Sequence, residues 1–419
     1  MENRAPRGTN DILPPESSRW QYIENRAREI LGCYNYQEIR TPIFEYTELF
    51  QRGIGEATDI VTKEMYTFTD KGGRSLTLRP EGTASIVRAF LEHKLYGKAQ
   101  PRKYYYLGPM FRYERPQSGR YRQFNQLGVE VLGSNDPLVD VEVITLGMDI
   151  VEGLGLKNLD LYINSIGCPE CRNNYVESLK KYLRDKKQQL CDDCKQRINS
   201  NALRVLDCKN QACQPVIKNA PRITDYLCSD CSQHFDQVKN HLDTLNKDYM
   251  IDPLLVRGLD YYTNTAFEIK YSGLGAQDTI FGGGRYNGLA EEIGSRDIPG
   301  IGFAIGLERL LLTLECQKVD LREDNGLDLY LTTIGERARK AAFKYLHVLR
   351  RAGLKSEMDY NDRSVKGQMK AADRLNANFT IILGENELSS GTATIRNMKT
   401  GSEKEIKLNN LVEEMQELL

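Results

Sequence analysis

Apolar and polar positions along this chain change period repeatedly, and each change marks an element. Ser17 to Leu31 reads as a helix that begins after Pro14-Pro15 and stops at Gly32. Gln37 to Phe44 (QEIRTPIF) reads as extended, with Pro42 suited to an edge or a kink. Gly82 to Tyr96 reads as a second helix, because Ile86, Val87, Phe90 and Leu91 recur at helical spacing. Tyr104 to Leu107 and Gln126 to Leu132 read as strands, and Asp136 to Gly153 as a helix entered through Asp-Pro.

The character then shifts. Residues 168 to about 245 hold eight of the ten cysteines, many Lys, Asn and Asp, and helical stretches such as Asn174 to Lys187. This is expected to be a small, mainly helical inserted domain. Residues 251 to 316 return to strands and glycines and close on a helix from Gly306 to Cys316. A boundary is expected near Leu321 to Gly326. Beyond it, LDLYLTTI is a buried-strand pattern and ARKAAFKYLHVLRRAG a helix ending at Gly353. KSEMDY, a helix from Val365 to Leu375, and FTIILG follow, which predicts a small α/β domain.

The chain has 419 residues, enough for about two or three domains. Its 57 Lys plus Arg balance 58 Asp plus Glu, a net charge of -1, so a nucleic-acid partner would need local basic faces. MENRAPRGTNDILPP has no apolar core of a signal peptide, and no apolar run approaches the roughly 20 residues that span a bilayer. The chain reads as soluble and cytoplasmic, with no membrane partner. Ten cysteines in such a chain point to reduced thiols or metal ligands rather than disulfides.

Phe111 to Gly133, FRYERPQSGRYRQFNQLGVEVLG, carries the densest candidate chemistry. It reads as a hairpin whose turn is marked by Pro116, Ser118 and Gly119. Arg112 and Glu114, two apart on a strand, point the same way and could grip a phosphate and an amino-bearing ring together. In LTLRPEGT, Glu81 and Thr83 alternate on an extended segment leading into a helix. They could hold an α-ammonium group, and Thr83 could equally cap the helix. FGGGRYNGLAEEIG, Phe281 to Gly294, lets a backbone approach a ligand closely. It is neither a Walker A loop nor a Rossmann fingerprint, which weighs against a kinase, a P-loop ATPase or a dehydrogenase.

The hairpin resembles motif 2 of the class II aminoacyl-tRNA synthetases, in the form used by histidyl-tRNA synthetases. RGLDYYTNTAFEI, Arg257 to Ile269, resembles a segment peculiar to that family, read here as a strand. GIGFAIGLERL, Gly300 to Leu310, resembles motif 3, and RTPIFEYTELF, Arg40 to Phe50, more loosely resembles the dimer-forming motif 1 through Pro42. The segments stand in family order and the resemblance, to the bacterial type, spans essentially the whole chain.

That resemblance implies an α+β catalytic core with an antiparallel sheet, residues 1–167 and 246–323. It also implies an inserted domain, 168–245, and a C-terminal α/β anticodon-binding domain, 324–419. It implies a ligase that activates histidine with ATP and Mg2+ and charges tRNA(His), as a homodimer. Arg257 takes the catalytic cation role and Arg112 binds the α-phosphate. Glu114 accepts from the adenine amino group, Phe124 stacks on the base and Arg309 covers it and reaches the γ-phosphate. Glu81, Thr83, Gln126, Glu130, Tyr262 and Tyr286 line the histidine pocket. Arg115, Arg120 and Arg122 are candidates for the acceptor end of tRNA or for ATP phosphates. A non-catalytic relative, such as the regulatory subunit of ATP phosphoribosyltransferase, shares the core. The retained Arg112, Arg257 and Arg309 and the C-terminal domain argue against it, as they do against a bare tRNA-binding module.

The family does not account for the cysteines. Cys168/Cys171, Cys191/Cys194 and Cys228/Cys231 are C-x2-C pairs, and Cys208 and Cys213 a looser fourth. Such knuckles have the spacing of structural Zn2+ sites. Eight thiolates could make two four-cysteine sites, one site plus spare thiols, or none. In the last domain Arg337, Arg339, Lys340, Lys344, Arg350 and Arg351 lie on or beside one helix, which is either a solvated face or a tRNA-facing one.

Overall fold

Pro14 and Pro15 precede α1 (Glu16–Cys33), whose buried residues Trp20, Ile23, Ala27 and Leu31 recur at spacings of three and four, one face of a helix. The chain continues through β1 (Gln37–Glu38), β2 (Phe44–Tyr46), α2 (Thr47–Ile54), β3 (Tyr66–Thr69), β4 (Ser75–Leu78) and α3 (Thr83–Glu92). Gln37 to Phe44 is therefore not one extended run: β1 and β2 enter different sheets on either side of Pro42. The second helix ends before Tyr96, because Lys94 turns left-handed (φ 53°) and Leu95–Gly97 makes a single tighter turn.

β5 (Arg102–Phe111) and β6 (Gln123–Leu132) form the expected hairpin, antiparallel along its length. Next come α4 (Pro137–Gly153), β7 (Asp160–Ser165), α5 (Pro169–Asp185), α6 (Asp192–Ser200), α7 (Gln214–Lys218) and α8 (Ser229–Thr244). They are followed by β8 (Met250–Ile251), β9 (Thr263–Lys270), β10 (Thr279–Arg285), α9 (Leu289–Gly294), β11 (Gly300–Gly306) and α10 (Leu307–Cys316). β12 (Leu329–Thr333), α11 (Glu336–Arg351), β13 (Ser356–Met358), α12 (Val365–Arg374) and β14 (Phe379–Leu383) begin the C-terminal part. α13 (Glu385–Ser390), β15 (Thr392–Asn397), β16 (Glu403–Lys407) and α14 (Leu411–Leu418) complete it.

The computed structural model describes residues 3–55, 58–275, 278–321 and 326–419. The expected boundary at Leu321 to Gly326 falls mostly on 322–325, outside the described residues. By contact the chain divides into two units: one runs to Asp320 apart from Pro14–Arg19, and the other holds Pro14–Arg19 and Leu321–Leu419. Among the described residues no helix is long and apolar enough to cross a membrane.

The first unit is built on a sheet in the order β1-β5-β6-β11-β10-β9-β7-β8, antiparallel except at its two edge pairs. β2, β4 and β3 make a smaller sheet beside it. Tyr175, Leu179, Leu183, Ile198 and Val205 of the cysteine-rich stretch share one apolar cluster with Phe90, Tyr106 and Tyr286 of the sheet region. The stretch is helical but does not separate as a third unit. In the second unit β12 lies between β13 and β14 in parallel, and β15 and β16 add antiparallel. The β15–β16 turn closes where the Asn397 side chain accepts from the backbone N–H groups of Lys399 (2.9 Å) and Thr400 (3.0 Å).

One buried ion pair clamps α4 to the sheet. Asp136 caps α4 by accepting from Leu138 N at 2.9 Å, with Pro137 in the first turn. One turn on, Asp140 receives Arg285 Nε at 3.0 and 2.8 Å and Nη2 at 2.5 Å. Arg285 also donates to Ser134 O (2.8 Å) and Asp136 O (2.9 Å), and Arg285 and Asp140 are each 0% exposed. His234 of α8 bonds Asp140 at 3.1 Å, so one carboxylate joins three elements. Removing one partner of such a pair strands the other charge in the core. Asp140→Ala should therefore lower stability by about 3–5 kcal/mol, seen as an early first transition in urea. A loss under about 1 kcal/mol would show that the clamp does not hold the sheet to α4.

Candidate active site

The hairpin, α3, β10 and β11 converge on Glu130, which is 1% exposed in the middle of β6. Thr83 Oγ1 donates to one carboxylate oxygen at 2.7 Å and Tyr286 Oη to the other at 2.5 Å. Burial pushes the Glu130 carboxyl up to about 8, against the pull of those two donors. Glycines make the room: Gly302 lies opposite Glu130, and a Cβ there would overlap the carboxylate. Gly300 likewise clears the Tyr286 ring, and Gly82 and Gly128 clear Tyr106.

Glu81 and Thr83 do not alternate on an extended segment, and Thr83 does not cap the helix. Thr83 is already in the first turn of α3. Glu81 does the capping, accepting from Thr83 N (2.7 Å) and Ala84 N (2.9 Å). That leaves Thr83 Oγ1 free for Glu130. Burial raises the Glu81 carboxyl as well, and Tyr261 Oη approaches it at 3.4 Å. Glu81, Thr83, Gln126, Arg257, Tyr262 and Tyr286 line a pocket of about 190 Å3; Glu130 does not itself line it but bonds Thr83 and Tyr286, which do. Gln126 Oε1 is buried there without a hydrogen-bond donor.

Arg257 also lines a larger cleft of about 1020 Å3, so it belongs to both spaces. The run Arg257 to Tyr262 is not a strand: it is a turn that leads into β9 at Thr263. There Arg257 Nη1 pairs with Glu268 of β9, while its Nε is buried without an acceptor. Gly282 of β10 gives the guanidinium its space. The glycines of FGGGR thus serve side chains of the site as much as a ligand.

Arg112 and Glu114 lie just past the end of β5, so the strand pleat does not align them. Arg112 Nε donates to Pro80 O at 2.8 Å, and the guanidinium stands 5.3 Å from the Phe124 ring centroid. Glu114 meets Arg112 at 3.8 Å and Arg120 at 3.3 Å. These residues, Phe124 and Arg309 face the larger cleft. Arg309 enters in the first turn of α10, and its Nη1 donates to Thr279 O at 3.3 Å. Arg122 packs on the Tyr113 ring at 3.8 Å and bonds Glu114 O at 3.2 Å, while Arg115 is exposed.

Two residues of the site escaped sequence reasoning. Glu308 accepts from Asn125 N at 2.8 and 3.1 Å, which fixes β6 to the start of α10. Glu268 holds Arg257. The signal for Glu308 was its place beside Arg309; the signal for Glu268 was a lone carboxylate in an apolar strand.

The eight cysteines of the insertion gather as two groups of four: Cys168, Cys171, Cys228 and Cys231; and Cys191, Cys194, Cys208 and Cys213. On α11, Ala338, Ala342, Leu346 and Leu349 face the core. Arg337, Lys340 and Arg350 pair with Glu385, Glu336 and Glu357, so half of the six cations on or beside this helix are matched by carboxylates.

The family model described as "Histidyl-tRNA synthetase" matches residues 8–310, and "Anticodon binding domain" matches 328–418. The chain is 65% identical to a histidine–tRNA ligase of Halothermothrix orenii over all of both chains. It is 53% identical to one of Caldanaerobacter subterraneus over 98% of this chain and 99% of that one. The apo histidyl-tRNA synthetase of S. aureus shares the fold at a TM-score of 0.85 and 46% identity, covering 99% of this chain and 100% of the other. With its sheet order, its Glu130 pocket and its C-terminal unit, the chain belongs to the histidyl-tRNA synthetase family.

Proposed function

We propose that this chain is a histidine–tRNA ligase. It joins histidine and ATP to histidyl-adenylate and pyrophosphate, then passes the histidyl group to the 3'-terminal ribose of tRNA(His). The observation that carries this reading is a small polar pocket, walled by Thr83 and Tyr286 with Glu130 bonded behind them, that shares Arg112 and Arg257 with an arginine-lined cleft.

Histidine enters the small pocket. Glu130 and the hydroxyls of Tyr286 and Tyr262 meet the imidazole, whose N–H needs an acceptor. Glu81, Thr83 and the unpartnered Gln126 Oε1 meet the α-ammonium group. An apolar side chain in that pocket would leave Glu130 and its partners unpaired, so the pocket rejects it.

ATP enters the larger cleft. Phe124 and Arg309 sandwich the adenine, and Glu114 accepts from its amino group. Arg309 also reaches the γ-phosphate. Arg112 and Arg257 hold the α-phosphate from two sides. Arg257 also binds the histidine carboxylate, so it orients the nucleophile toward phosphorus. Negative charge grows at the five-coordinate phosphorus, and a guanidinium already aimed there stabilises it more than the ground state. No side chain forms a covalent bond; positioning and electrostatics supply the rate. Mg2+ enters as the ATP complex. There it would take most of its oxygen ligands from phosphate and water and would offset the phosphate charge.

Arg115, Arg120 and Arg122 serve the acceptor end of tRNA or the ATP phosphates, and residues 324–419 bind the anticodon. The boundaries 168–245 for the insertion and 246–323 for the second core segment stand as our division of the chain. The β2-β4-β3 sheet leaves Phe44 (51%), Tyr46 (55%) and Phe68 (44%) exposed, which supports a homodimer through that face. Charging tRNA for translation places the protein in the cytoplasm. The regulatory-subunit reading is not favoured: a relative at 65% identity over full length carries the ligase name, and the ATP-facing arginines would be idle in a sensor.

Purified protein should form acid-precipitable histidyl-tRNA from histidine, ATP and tRNA(His). Arg257→Ala should cut that rate by about 10²–10³-fold at the adenylation step while histidine binding persists. An unchanged rate in the variant would remove Arg257 from the reaction. A second prediction concerns pH. The folded protein holds a proton on Glu130 up to about 8, whereas the unfolded chain releases it near 4.5. This contribution to stability is complete below the unfolded value and is lost as pH rises through the folded one. Wild-type protein should therefore lose Tm relative to Glu130→Gln as pH rises from about 5 to about 8.5. A difference that stays flat over that range would show that Glu130 ionises as an ordinary carboxylate.

A further inference from the structure

We infer that the insertion holds two structural Zn2+ ions in two four-thiolate sites, and that the second ion shapes the wall of the larger cleft. The pairing is not the order along the chain. The first and last C-x2-C pairs share one site, and the two middle pairs share the other.

The geometry points to a metal in each. Within each group all four sulfurs lie within 4.8 Å of one another. Cys168 Sγ and Cys171 Sγ are 3.5 Å apart, and Cys191 Sγ and Cys208 Sγ 3.8 Å. A tetrahedron with Zn–S bonds of about 2.3 Å has an edge of about 3.8 Å. A disulfide needs about 2.05 Å, and all ten cysteines are free. Four thiols brought this close with no bond among them are what a tetrahedral thiolate site requires.

The backbone is arranged for thiolates. Cys168, Cys191 and Cys228 each stand immediately before a helix, α5, α6 and α8, in the same extended conformation. Each partner, Cys171, Cys194 and Cys231, lies in the first turn, near the positive end of the helix dipole. N–H groups then donate to sulfur: Cys228 N to Cys171 (3.1 Å), Cys191 N to Cys213 (3.2 Å) and Asn210 N to Cys208 (3.4 Å). Asn264 Nδ2 donates to Cys231 at 3.5 Å. Such donors orient the ligands and favour the charged sulfur.

The fold also has a use for the cross-links. Between α5 and α8 the nine-residue α6 is followed only by short elements, the five-residue α7 and single 3-10 turns. Segments that build little regular structure of their own are commonly stapled by a metal. The first site ties the start of the stretch to its end. The second site ties Cys191 and Cys194 to Cys208 and Cys213, and Cys191, Arg204, Cys208 and Lys209 line the larger cleft. Arg204 and Arg197 reach Asp59 at 3.7 and 3.4 Å, which ties the metal-held segment to another residue of the cleft lining.

The metal sites stand on thiol geometry alone; their effect on ATP rests on reading the larger cleft as the ATP site. Full-length protein purified without chelator from zinc-supplied cells should carry about two zinc ions per chain, by elemental analysis. Cys194→Ser and Cys228→Ser should each leave about one. Cobalt in place of zinc should give the intense charge-transfer and d–d bands of tetrahedral thiolate ligation. Below about 0.2 zinc per chain, or iron in its place, the proposal falls. It also falls if both variants keep the wild-type content. Cys194→Ser should raise KM for ATP several-fold and leave KM for histidine within about twofold. Equal KM values for ATP in wild type and variant would overturn the role of the second ion, whatever its stoichiometry.

Discussion

The buried carboxyl of Glu130 is the constraint around which the first unit is arranged. It sits in a central strand, and among the described residues it is held by Thr83 and Tyr286 with no cation paired to it. To be there it needs the start of α3, the end of β10 and a glycine opposite on β11. It also needs Glu81 to cap α3, because only then is the Thr83 hydroxyl available. The pocket is thus specified by backbone as much as by side chains. An uncompensated buried carboxyl is costly, and a ligand that brings N–H donors offsets the cost.

A second buried carboxylate shows what Glu130 lacks. Burial pushes Asp140 up too, but Arg285 and His234 overcome it and hold it below the usual range. The Asp140 pair is fully satisfied and joins α4, β10 and α8. Both carboxylates are gripped by the same short stretch, Arg285 and Tyr286, at the end of the glycine strand. One residue serves the scaffold and the next serves the pocket. That adjacency explains why the strand carries three glycines: it must lie close to its neighbours while two large side chains leave it at fixed angles.

Much of this was legible in the sequence, for physical reasons that differ by element. The hairpin showed through its turn residues, and α4 through Asp-Pro. The site residues Glu130 and Arg257 showed through the resemblance of their segments to the family's motifs, not through local pattern alone. What was not legible depended on tertiary geometry. Local spacing cannot tell that Glu81 rather than Thr83 caps α3, since the Thr83 hydroxyl is taken by Glu130 of β6, or that Arg257 lies on a turn, where it pairs with Glu268 of β9. The β15–β16 hairpin was missed because its strands are polar and its turn rests on one Asn side chain. The cysteine pairs were visible as knuckles, but which knuckle meets which is a property of the folded helices.

The central claim is that a pocket built on Glu130 selects histidine for reaction with ATP in the neighbouring cleft. ATP–pyrophosphate exchange with each of the twenty amino acids, before any tRNA is added, tests it most directly. Exchange with histidine alone is the predicted result. Exchange with another amino acid would contradict the pocket's assignment. No exchange at all, with histidine binding intact by calorimetry, would contradict the chemistry and leave a histidine sensor on the same fold.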